Sequence, residues 1–145
     1  DLRLPAHVFR IAGIYGPGRS ALDRLRAGVA QRVVKSGQVF CRIHVEDIAT
    51  VLKSSIDAPN PGRVYNVADD EPAPPQDVVE YAAQLLDMQP PPLVTFETAN
   101  LSKMARSFYS ESKRIRNDRI RGELGVDLRY PNYRVGLGAL IAEEN

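Results

Sequence analysis

Along most of its length the chain switches back and forth between two hydrophobic periods, and that alternation limits its fold more than any other feature. Residues 7–15 (His-Val-Phe-Arg-Ile-Ala-Gly-Ile-Tyr) are β-rich and end at the turn signal Gly16-Pro17-Gly18. A helical period follows over residues 21–34, with Leu22, Leu25 and Val29 on one face and Gly28 weakening or ending the helix. Residues 39–45 predict a short strand. The helix after it carries Ile48, Val51, Leu52, Ser55 and Ile56 on one face, with Asp47 expected as its cap and Pro59-Asn60-Pro61-Gly62 as its stop. Residues 63–68 predict a compact buried strand, and Pro74-Pro75 opens a helix with Val78, Tyr81, Ala82, Leu85 and Leu86 on one side. Beyond Pro90-Pro91-Pro92 come a short strand over 93–97, a basic helix over 115–124 closed by Gly125, and an amphipathic helix over 134–144. Strand and helix in alternation argue an α/β fold.

Bulk properties remove several function classes. The 145 residues suit one domain with a real core. Hydrophobic residues at 43% and charged residues at 26% are an ordinary globular balance, so the chain is neither disordered nor fibrous. A net charge of +1 supplies no global field toward nucleic acid or an anionic membrane. The single cysteine, Cys41, rules out an internal disulfide and suits a reducing cytoplasm, the expected location. No apolar run approaches the roughly 20 residues of a membrane span. The opening Asp1-Leu2-Arg3-Leu4-Pro5 reads as a chain entering a strand rather than as a signal peptide.

Two short motifs match by letter and lack the context their chemistry needs. Gly16-Pro17-Gly18-Arg19-Ser20-Ala21 fits G-x-G-x-x-(G/A), in which glycines let backbone approach a pyrophosphate at a helix N-terminus. Pro17 removes an N–H and stiffens the loop, and no acid ends the next predicted strand to hold a ribose. Tyr109-Ser110-Glu111-Ser112-Lys113 fits Y-x-x-x-K, where one helical turn sets a Lys beside a Tyr and lowers the phenol pKa. The serines around it support a helix poorly, so it reads as a chance match. The run Arg114, Arg116, Arg119 and Arg121 lacks interleaved aromatics and reads as a solvated helix face, so no nucleic-acid partner is expected. No metal site is expected either.

An ordered series of segments carries a resemblance over nearly the whole chain. Phe9-Arg10-Ile11-Ala12-Gly13-Ile14-Tyr15-Gly16-Pro17-Gly18 is similar to an "R-x-x-x-(V/I)-Y-G-P-G" segment, and Arg42-Ile43-His44-Val45-Glu46-Asp47-Ile48-Ala49 to "I-H-V-x-D-(V/I)-A". Val64-Tyr65-Asn66-Val67-Ala68 is similar to a "Y-N-(V/I)" strand, and Lys113 through Arg121-Gly122-Glu123-Leu124-Gly125 to a closing "K-x-x-x-E-L-G" helix. In this order they resemble extended short-chain dehydrogenases/reductases of the NAD-dependent epimerase/dehydratase family, the nucleoside-diphosphate-sugar epimerase-like kind.

The resemblance implies that residues 1–145 are the C-terminal, substrate-binding part of a Rossmann-like NAD(P)-binding fold together with its small substrate-binding subdomain. The glycine-rich turn, the ribose-binding acid and the catalytic Tyr-Lys pair of that family lie upstream, so no catalytic residue is expected here and the chain alone is expected to be inactive. The implied partners are NAD or NADP, a small-molecule substrate (a sugar-nucleotide or another small polar hydroxyl or carbonyl compound) and the N-terminal half of the same protein. A homodimer of the intact protein stays open, and the alternative is a non-catalytic NAD(P) sensor or protein-interaction module of the same fold. Ala12, Gly13 and Ile14 are placed beneath the nicotinamide, where small residues at the carboxyl end of a strand let backbone approach it. Tyr15, Gly16, Gly18, Arg19 and Arg42 are placed on the substrate side, with Arg19 suited to an anionic group. His44 is expected to hold the strand-to-helix turn. The family commonly has Asn where Gly13 stands and a diphosphate-gripping Arg where Phe40 stands, which weakens a sugar-nucleotide substrate. Arg42 is expected on the same strand face as Phe40.

Overall fold

A computed structural model describes residues 6–144; the opening segment 1–5, read above as the approach to a strand, lies outside the described residues. The predicted strand over residues 7–15 forms as two consecutive pieces, β1 (Val8–Ile11) and β2 (Gly13–Tyr15). β1 runs parallel to β5 (Val64–Val67), and β2 runs parallel to β4 (Arg42–His44). The change of partner falls at Ala12. Its N–H donates to the Val67 carbonyl at 3.0 Å, whereas the N–H of Gly13 donates to Cys41 at 3.2 Å. Successive N–H groups of an extended strand point to opposite sides, so β5 and β4 flank this strand on opposite edges. Among the described residues no strand covers the edge of β1 opposite β5, and Val8, Ile11 and Ile14 stay exposed.

The helical period predicted through residue 34 is cut short. α1 (Ala21–Arg26) ends as Gly28 takes a left-handed φ of 70°, a conformation that glycine adopts without a Cβ penalty. The chain then extends, and Arg32–Val34 becomes β3, parallel to β6 (Leu93–Thr95). β-Branched Val33 and Val34 favour that outcome.

α2 (Val45–Asp57) starts where expected, but its cap differs. The Nδ1 of His44 accepts from the Glu46 N–H at 3.2 Å. Asp47 instead reaches out of the helix, accepting from the backbone N–H groups of Arg129 and Tyr130 at 2.8 and 3.0 Å. Of the predicted apolar face, Ile48, Val51 and Ser55 are buried, while Leu52 and Ile56 face solvent. α3 (Pro75–Leu85) opens on its proline as expected. Beyond β6 the chain forms α4 (Lys103–Ser107) and one 3-10 turn at Phe108–Ser110. The basic helix shrinks to α5 (Asp118–Gly122), because Ile120 is the one residue of that turn with a buried face. α6 (Tyr133–Glu143) is capped by the Asn132 side chain, which accepts from Val135 N–H at 3.0 Å.

Three apolar clusters hold these pieces. Leu22, Leu25, Val78, Ala82, Leu137 and Leu140 join α1, α3 and α6. Ile43, Val51, Tyr65, Val67, Ile120 and Val126 lie under the strands. Val33, Ala99 and Tyr109, with Phe40 and Phe96, form the third beside β3 and β6.

Candidate functional site

Two clefts adjoin at the carboxyl ends of β1 and β2, the end of a parallel sheet where ligands of α/β proteins bind. The first, of about 570 Å³, has Tyr15, Gly18, Arg42, Val78, Tyr133 and Leu137 among its walls. The second, of about 480 Å³, has Ile11, Ala12, Gly13, Phe40, Phe108 and Lys113 among its walls. Ile14 and Arg19 belong to both. The residues read as cofactor-side and those read as substrate-side therefore sort onto neighbouring clefts. Gly16 is set apart from the other substrate-side residues. It is buried against Val45 and closes a turn, its N–H and carbonyl both bonded to Arg19 at 3.1 Å. Arg19 projects outward from that turn, and its side chain has no ion-pair partner among the described residues.

Phe40 and Arg42 do not share a face. Phe40 pairs with Ala73 in an isolated bridge rather than continuing β4, so strand alternation fails there. Its ring goes to the second cleft, edge-on to Tyr109 at 5.1 Å, while Arg42 goes to the first.

Several buried polar groups lie against Tyr15 and Arg42, which line the first cleft. The Tyr15 ring meets His44 edge-on at 5.1 Å, and His44 lies against Tyr130 at 3.9 Å. Because Nδ1 of His44 accepts a hydrogen bond, the proton sits on Nε2, which is buried without a partner. Burial pushes the His44 pKa down, and the imidazole stays neutral. The Tyr130 hydroxyl donates to Glu46 at 2.9 Å, so His44, Glu46 and Asp47 together clamp the loop before α6. His44 is thus a structural residue, as expected. The Tyr15 hydroxyl is packed against Gly136, where an added Cβ would fall 1.9 Å from it. It too has no partner, and burial raises the phenol pKa far above its ordinary value. Tyr15 therefore offers a ligand its ring rather than a proton.

Asp69 was not among the residues singled out from sequence. It follows β5, is 2% exposed, and its N–H donates to the Arg42 carbonyl at 2.7 Å. One carboxylate oxygen accepts from Glu71 N–H at 3.2 Å and the other has no partner. Burial lifts its pKa to about 7, with Arg42 pulling the other way. Tyr133, at the start of α6, was also missed. Its place in the first cleft depends on how α6 packs across α3. The position of Asp69, just past the carboxyl end of a parallel strand, was the available signal.

The Y-x-x-x-K match is a coincidence of letters. Tyr109 sits in the 3-10 turn, stacked on Phe96 at 5.0 Å, while Lys113 lies in extended chain beyond and pairs with Glu111. The glycine-rich match fares no better: α1 is a six-residue helix whose N-terminus is closed by Ser20, which accepts from Asp23 N–H and donates to its carboxylate at 2.6 Å.

Ala12, Gly13 and Ile14 fit a cofactor only in part. Two of their N–H groups are spent on Val67 and Cys41, so what they present is a low wall of small residues. No group of His, Cys, Asp or Glu suited to a metal ion occurs among the described residues, and no helix among them is long and apolar enough to cross a membrane.

No family model matches the chain. Protein YeeZ of Escherichia coli (strain K12) is 30% identical over 127 residues, which is 86% of this chain and 41% of that protein. A conserved protein of unknown function from Silicibacter pomeroyi DSS is 64% identical, with a TM-score of 0.92 over 97% of this chain and 50% of that one. A dTDP-glucose 4,6-dehydratase from Bacillus anthracis in complex with NAD is 20% identical, with a TM-score of 0.72 over 99% and 46% of the two chains. A human epimerase family protein with NADPH is 18% identical, with a TM-score of 0.77 over 94% and 48%. The chain spans half or less of the length of each of these. The last two, at that identity, establish the fold: this chain has the α/β architecture of a matching half of Rossmann-like NAD(P)-binding epimerase and dehydratase structures.

Proposed function

We propose that the chain is the C-terminal, substrate-side half of an NAD(P)-dependent epimerase, dehydratase or oxidoreductase acting on a small hydroxyl or carbonyl substrate. The observation that carries this is the junction of two clefts at Ile14 and Arg19, at the carboxyl ends of β1 and β2. The uncovered edge of β1, with Val8 and Ile11 exposed beside it, suits a further strand from a dinucleotide-binding half. Ala12, Gly13 and Ile14 would form the wall beneath the nicotinamide, and Tyr15, Gly18, Arg19 and Arg42 the substrate side. The nicotinamide would supply or accept a hydride. Within this chain, Tyr15 lines the substrate cleft with His44 packed behind it, and proton transfer falls to residues outside this chain.

The test is a titration of NADH and NADPH, with turnover, on the full-length protein and on residues 1–145 alone. Cofactor binding and turnover by the longer protein, with none by residues 1–145, is the expected result. Turnover by residues 1–145 would overturn the assignment of halves. Cofactor binding without turnover by the longer protein would favour a sensor of the same fold.

A further inference from the structure

Half of the described lysines and arginines pair with a carboxylate, and Arg42 is among those that do not. Among the described residues no carboxylate comes within ion-pair distance of its guanidinium. Its Nη1 is fixed, donating to the carbonyls of Phe40 at 2.9 Å and Ala73 at 3.3 Å. Nε and Nη2 make no hydrogen bond to the described residues, and neither is sealed from solvent. These two nitrogens form one edge of the guanidinium, the side-on fork that matches the two oxygens of a carboxylate. Burial pulls the Arg42 pKa down, with the charge of Asp69 opposing it from beyond ion-pair distance.

The rest of the cleft offers little to a polar ligand. Val33, Val78, Val79, Leu101 and Leu137 supply walls. The polar groups at its rim are mostly engaged within the protein. Ser20 bonds Asp23 at 2.6 Å, Arg24 donates to the Val29 carbonyl at 3.3 Å, and Gln31 both donates to and accepts from the Asn100 backbone at 2.7 and 3.1 Å. The Tyr15 hydroxyl is turned into α6. Tyr109 and Tyr133 line the cleft with phenols close enough to Arg42 to feel its charge. A sugar needs a hydrogen-bond partner for nearly every hydroxyl it buries, which these walls do not supply, while Arg19 at the rim adds a second cation without an ion-pair partner among the described residues.

We propose that this cleft binds a small monocarboxylate with an otherwise apolar body, its carboxylate gripped side-on by Nε and Nη2 of Arg42. The proposal names the substrate class of the site described under Proposed function and rests on that reading for the redox step alone.

The test is calorimetric titration of phenylacetate, its neutral isostere phenylacetamide, and UDP-glucose against the full-length protein and three variants, each checked for a cooperative thermal melt. Phenylacetate should bind at least roughly tenfold tighter than the amide. Arg42→Met should erase that difference, Arg42→Lys should keep only part of it, and Leu101→Asn should weaken acid and amide alike. Equal affinity for acid and amide, no binding of phenylacetate to the folded protein, or tighter binding of UDP-glucose would each overturn the proposal. Acid-selective binding that depends on Arg42, in a protein that binds neither NADH nor NADPH, would leave this site standing and remove the redox reading instead.

Discussion

The basic segment around α5 and the surroundings of the first cleft make opposite use of charge. In the former, Arg116 pairs with Asp118 at 2.6 Å, Arg121 pairs with Asp70, and Arg119 donates to the Val64 carbonyl at 3.0 Å. Each of these arginines is exposed and satisfied. At the cleft and just behind it, Arg42 has no carboxylate at ion-pair distance, one oxygen of Asp69 is unbonded, and Tyr15 and His44 each bury an unpartnered polar atom. Water screens the first set, so its many charges contribute little. The second set is few in number and each member is costly to leave unpaired, but of these groups only the Arg42 guanidinium offers the cleft an open polar edge, so a ligand that supplied its partner would gain most there.

The sharpest way to break this contrast is to remove the apolar anchor of the basic segment. Ile120→Ala should cost about 3 kcal/mol in urea unfolding, since Ile120 is 0% exposed in the cluster with Ile43 and Val67. A loss under about 1 kcal/mol would mean that the arginines, rather than this one side chain, hold the segment.

Gly136→Ala tests the packing at the other region. The new methyl would strike the Tyr15 ring and hydroxyl, and a loss of about 2 kcal/mol is expected although alanine is the better helix former. A neutral result would show that Tyr15 can leave its place at little cost.

Asp69→Asn carries a pH signature. Folding raises this carboxyl from 3.8 to about 7, so it favours the protonated form. The associated stability is full below about pH 4 and is lost as pH rises through 7. The Asn variant should therefore exceed the parent by ~1–2 kcal/mol at pH 8, allowing for solvent screening, with the gap closing toward pH 4. A pH-independent difference between the two would place Asp69 in an ordinary solvated setting.

The smallest effect belongs to Arg116→Ala. An exposed pair two residues apart should change stability by no more than about 0.5 kcal/mol, and added salt should shrink even that. A loss well above that at physiological salt would give the basic face a structural role that its exposure does not suggest.

Local chemistry alone determined a good part of this protein. The β-rich period of residues 7–15, the proline start of α3 and the amphipathic α6 each carry their own signals, and together they specify an α/β chain. The reading of His44 as a turn-holding residue also stood, because the His side chain acts on an N–H two residues away. Only tertiary structure decided the rest. Residues 32–34 became a strand because β6, some 60 residues on, was there to pair with them. Asp47 gave up the role of cap because backbone N–H groups at 129 and 130 reach its carboxylate. Arg42 parted from Phe40 because the bridge to Ala73 interrupts the alternation on which a shared face depends. Asp69 came to lie beside Arg42 because β5 ends beside β4. Hydrophobic period and turn chemistry act over a few residues and can be read in order. The partner of a buried charge is set by segments distant in sequence, and only the folded chain brings them together.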